Sequence, residues 1–75
     1  MKVSYDPEAD VVCFRLSTEP IDESDELRPG VIVSFDAGGN VVALEILRAS
    51  IHIPDPRKIE FALLVPDRAK TVRAA

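Results

Sequence analysis

Residues 31–47 read VIVSFDAGGNVVALEIL, two apolar runs on either side of a turn. Val, Ile and Phe suit a pleated, half-buried surface, so 31–35 and 41–47 are predicted strands. Between them, Asp36-Ala37-Gly38-Gly39-Asn40 is a hairpin signal, because two glycines and an asparagine supply the left-handed backbone such loops need. Side chains two residues apart share a face, which groups Val31, Val33 and Phe35, and likewise Val42, Leu44 and Ile46. Residues 41–47, the longest run, are expected to form the central strand.

Working outward, Pro29-Gly30 places a proline at the second position of a turn and a glycine free to adopt positive φ. A short strand before it, at 23–28, fits the spacing. Further back, Lys2–Tyr5 and Val11–Leu16 form another pair of β-rich runs around Asp6-Pro7-Glu8-Ala9-Asp10. There Asp6 accepts local backbone bonds and Pro7 pre-sets a type I turn. The expected fold is mainly β (α+β at most): a single small antiparallel sheet or meander of five to six short strands. One short helical turn is expected near the C-terminus, at 55–58, followed by a strand over 59–65. A helix over 59–65 is the alternative, since length and period do not decide. The chain forms one domain over 1–75, with 68–75 as a flexible tail.

Val12, Phe14, Leu16, Val31, Val33, Phe35, Val42, Leu44 and Ile46 make up the expected core face, with Phe14, Phe35 and Leu44 at its centre. The opposite face mixes Val11, Cys13, Ile32, Val41, Ala43 and Leu47 with Arg15, Ser34 and Glu45. A solvated antiparallel face alternates cleanly to polar residues, and this one does not. Its cover is expected from the C-terminal segment or a second subunit. A domain of 75 residues buries only about 60% of the surface its unfolded chain exposes, so a homodimer is expected.

The net charge is -4, which argues against nucleic acid as the main partner. Residues 1–36 carry three basic and nine acidic side chains, while 37–75 carry six basic and four acidic. The two halves therefore attract, within one chain or between two. A single cysteine excludes an intramolecular disulfide and fits a reducing cytoplasm, and a single histidine leaves no multi-His/Cys zinc set. No apolar run approaches the roughly 20 residues of a membrane span, and the start does not read as a signal peptide. No membrane partner is expected.

Several features recur in a familiar order. They are Met1-Lys2-x-x-Tyr5-Asp6-x-Glu8-Ala9-Asp10, a strand ending in Arg15-Leu16, Pro29-Gly30-Val31-Ile32-Val33, Gly39-x-Val41-Val42-x-Leu44-Glu45-Ile46-Leu47, and Ala49-Ser50. Over about residues 1–50 the chain resembles the small prokaryotic family known as the domain of unknown function numbered 2283. The resemblance implies a compact β-rich domain. Some family members are encoded beside small toxin-like proteins, which implies an antitoxin-like or partner-binding role. It supplies no catalytic residue. Cys13 replaces a common aromatic, and Ile51-His52-Ile53 replaces a more basic stretch.

Each candidate site competes with a plainer role. Asp6, Glu8 and Asp10 alternate like cation ligands, but Pro7 sits among them and no calcium-loop glycine follows. Turn chemistry explains them better. Glu19, Asp22, Glu23, Asp25 and Glu26 suit a solvated loop or a patch for a small basic protein. Glu45 in an apolar strand would make a tuned acid, yet a cross-strand ion pair with Arg15, near Ser34, is the expected arrangement. Cys13 reads as a packed small hydrophobe. Ser50 and His52 lack the glycine turn of a nucleophile site. No catalytic, cofactor-binding or metal residue is assigned, and no cofactor is expected. The reading is a non-enzymatic protein–protein interaction module. The alternative is a small-ligand binder or enzyme using the Glu45 region.

Overall fold

The described residues form five strands, β1 (Lys2–Asp6), β2 (Val11–Arg15), β3 (Glu23–Arg28), β4 (Val31–Phe35) and β5 (Val41–Leu47), followed by a short helix α1 (Ala49–His52). This is a computed structural model, and it describes residues 1–65. The tail expected at 68–75 lies outside the described residues. All pairings are antiparallel, and the strands lie side by side in the order β1-β2-β5-β4-β3. β5 is the central strand, as its length and apolar content predict.

Two local units build the sheet. β3, β4 and β5 form a meander, joined by Pro29-Gly30 and by Asp36–Asn40. Gly30 and Gly39 both stand at φ 82°, the left-handed region where a side chain is strained. The Asp36 carboxylate organises the second turn, accepting from the N–H groups of Gly38 and Asn40, each at 2.9 Å. The β1–β2 hairpin then adds to the free side of β5. Residues 16–22 therefore cross from β2, on one side of the central strand, to the far edge on the other, a departure from a simple meander. The Arg15 guanidinium pins that crossing by donating to the Ser17 and Glu19 carbonyls at 2.7 and 2.8 Å.

Register divides the side chains between two faces. On the first, Val12 stands opposite Ile46, Phe14 opposite Leu44, Val33 opposite Leu44, and Val31 opposite Ile46. β1 adds Val3 and Tyr5 to this face, and β3 adds Glu23 and Asp25. The second face carries Cys13, Glu45, Ile32, Ala43 and Ser34. Val12, Val42, Ala43 and Ala49 are 0–2% exposed and form the apolar core. The buried Ser34 hydroxyl is bonded to Ser24 at 2.7 Å.

That core is smaller than expected. Phe14, Phe35 and Leu44, placed at its centre by alternation, are only half-buried, and Leu16 is exposed just beyond β2. The reason lies in the architecture. A sheet buries a face by packing it against a second layer, and the described chain is one sheet with a four-residue helix. Its radius of gyration is 14.9 Å, against roughly 11 Å for a compact domain of this length.

The C-terminal expectations need correction. The helix forms at 49–52 rather than 55–58, where Lys58 N–H donates to the Asp55 carbonyl at 3.1 Å in a single tight turn. Pro54 and Pro56 explain the shift, since each lacks an N–H and disfavours helix at the preceding residue. Ile53, just before Pro54, is extended at φ -115° and ψ 119°. Residues 59–65 form neither strand nor helix. They run irregular and exposed.

Candidate functional site

Among the described residues, the side-chain hydrogen bonds that span the greatest separation in sequence converge on Asp10. It sits in the left-handed region at φ 56°, which Asp tolerates better than most residues. One carboxylate oxygen accepts from the Tyr5 hydroxyl at 2.8 Å and from Ser50 N–H at 3.0 Å. The other accepts from the Ser50 hydroxyl at 2.5 Å. Asp10 also offers its backbone carbonyl to Ala49 N–H at 2.9 Å. A hairpin loop near the start of the chain is thus tied to a helix forty residues later.

These bonds shape the acidity of the pair. The Ser50 hydroxyl, then the Tyr5 hydroxyl, hold the Asp10 carboxyl below its ordinary value of 3.8. The same bond to Asp10 leads in raising the Tyr5 hydroxyl above 10.0. Both groups are therefore fixed in their ordinary charge states near neutrality, which suits a latch rather than a proton carrier. Beside the latch, Tyr5, Pro7, Ser50 and Pro54–Arg57 line an open hollow of about 440 Å³. Arg57 and Asp55 form an exposed ion pair at 3.6 Å on its rim.

The other candidates disperse. Asp6 turns its carboxylate to the N–H groups of Glu8 and Ala9, at 3.0 and 3.2 Å, closing the hairpin loop. Among the described residues, no three His, Cys, Asp or Glu side chains gather as a metal site would need. Ser50 is bonded to Asp10, and His52 is exposed on α1. Glu45 stands between Cys13 and Ile32, while Arg15 lies opposite Ala43 and is spent on the crossing loop. The expected Glu45–Arg15 ion pair does not form. Cys13 is a free, half-buried thiol. Of the acidic run, Glu23, Asp25 and Glu26 lie on β3, the exposed outer strand, and Glu19 and Asp22 lie on the crossing before it. Among the described residues, no helix is long and apolar enough to cross a membrane.

The Asp10–Ser50 bond joins the two ends of the motif order in the sequence, and the family comparison covers the same span. The profile described as "Protein of unknown function (DUF2283)" matches residues 2–50. The chain belongs to this family. No curated protein and no solved structure matches it. In this DUF2283 member the motif residues Tyr5, Asp6, Asp10, Ala49 and Ser50 all take part in closing the hairpin or docking α1. Sequence reading assigns Asp10 to turn chemistry and misses its long-range partner. The available signal is the pairing of an early Tyr-Asp-x-Glu-Ala-Asp motif with a late Ala-Ser.

Proposed function

We propose that the chain is a non-enzymatic protein–protein interaction module whose sheet a partner completes. One observation carries this reading: Ile59, Phe61, Leu63, Leu64 and Val65 stand 51–86% exposed in a chain whose described residues form one sheet and a four-residue helix. Contiguous exposed apolar surface of this kind commonly marks an interface. The partner it suits is a polypeptide with an apolar stretch and basic flanks. Apolar side chains would cover Phe14, Val33 and Leu44, while the bases meet Glu23 and Asp25 at the margin of that face. Charge of this sort chiefly steers encounter and selects partners, with apolar burial supplying the affinity. An antitoxin-like pairing with a small basic protein fits the same chemistry.

The test is affinity capture from the native host, followed by titration of the recovered species against the parent and Asp25→Lys. A stoichiometric protein complex that weakens with salt and with the charge reversal is the expected outcome. Recovery of a bound metabolite in place of a protein would overturn the reading in favour of a ligand-binding or enzymatic role at the sheet.

A further inference from the structure

We propose that the partner completing the sheet is a second copy of this chain, which lays its own Ile59–Val65 segment across the half-buried part of the first face, reciprocally. This rests on the interaction-module reading and names the occupant of its surface. Each chain carries one sheet face left half-buried at Phe14, Val33 and Leu44 and one exposed apolar segment, the ratio that reciprocal exchange requires. The segment also carries the chemistry the face calls for. Ile59, Phe61, Leu63 and Val65 alternate to one side of an extended chain. Arg57 and Lys58 precede them, and Arg68, Lys70 and Arg73 follow in the sequence. The face is apolar at Phe14, Val33 and Leu44 and acidic along its β3 margin at Glu23 and Asp25.

Size points the same way. β1, β2, β5 and β4, spaced about 4.8 Å apart and about five residues long, span roughly 300 Å² of the first face, part of it already covered at Val12 and Val42. The five exposed side chains of the segment add on the order of 300 Å². Specific interfaces need about 600–1,000 Å² from each partner. Neither feature reaches that alone, and the two together approach its lower end. Pro54–Arg57 already lie beside Tyr5 at one end of the first face, so the segment starts at the rim of the surface it would share.

Light scattering on the full chain at micromolar concentration is the first measurement, with a mass of twice 8.2 kDa expected. Phe61→Asp alters a side chain exposed in the single chain, so the fold is retained and the dimer weakens about 30-fold or more, the effect of losing a central anchor. Location is read with a short bismaleimide in a Cys13→Ser background. Val33→Cys and Leu64→Cys chains, mixed, are expected to give a product of doubled mass, because Leu64 lies near Phe61 in the sequence without being one of the anchoring side chains. A monomeric parent, or a link confined within one chain when both cysteines share it, would overturn the exchange. The module reading survives that result if capture from the host still yields a different protein, and falls with it if capture yields none.

Discussion

Val41–Leu47 and Ile59–Val65 are each seven residues long, with six apolar side chains and one glutamate. The first is the central strand of the sheet, and the second is exposed and irregular. Composition does not separate them. Position does. β5 follows a turn held by Asp36 and Gly39, which delivers β4 to one side, while the β1–β2 hairpin takes the other. The later run follows Pro54 and Pro56 and, among the described residues, has no strand beside it. An apolar run becomes a strand when short, well-formed turns bring neighbours to its backbone groups.

The difference can be broken from the β5 side. Leu44→Ala removes a side chain that faces both Phe14 and Val33, and about 2–3 kcal/mol of stability is expected to go, the lower part of the range for such truncations because the site is half-buried. Urea unfolding checks it. A change within about 0.5 kcal/mol, as for ordinary surface sites, would mean that the first face is not the structural one.

The next effect concerns the latch. Asp10→Asn is expected to lower the melting temperature and to raise proteolysis in α1 and the residues after it, more than in the sheet. The pH dependence follows from the two shifts. The Asp10 carboxyl is depressed in the fold, so its contribution is present above the ordinary aspartate range and is lost as pH falls through the depressed value. The Tyr5 hydroxyl is raised, so its contribution is lost as pH climbs past 10.0. The parent is expected to show both losses, and Asp10→Asn to show less of each. Identical pH profiles would remove the latch from the account of stability.

Smaller effects sharpen the role of turns. Gly39 has open space where a Cβ would stand but a φ of 82°, so Gly39→Ala isolates backbone strain. A loss of about 1 kcal/mol is expected, read from the shift in the urea midpoint. Glu45→Gln is expected to change stability by less than about 0.5 kcal/mol, because its neighbours in register are Cys13 and Ile32. A large loss there would point to a charged partner for Glu45.

Much of the sheet is legible in the sequence because its signals are local. Pro29-Gly30 and Asp36–Asn40 announce turns, and alternation in 31–35 and 41–47 assigns faces. The β2-to-β3 crossing is not legible, since neither 16–22 nor 23–28 encodes which edge the strand joins. Nor is the Asp10–Ser50 bond, which depends on a separation of forty residues. Residues 59–65 mislead because strand propensity describes how a side chain fits a sheet, and the described residues supply no neighbouring strand.

Hydrogen exchange of the backbone amides, followed across a dilution series, tests most directly whether Ile59–Val65 is completed by a second copy. β5 amides are expected to be protected at every concentration, because their partners lie within the chain. Ile59–Val65 amides are expected to exchange rapidly when dilute and to slow as concentration rises. Exchange in that segment that is equally fast, or equally slow, at all concentrations would contradict it.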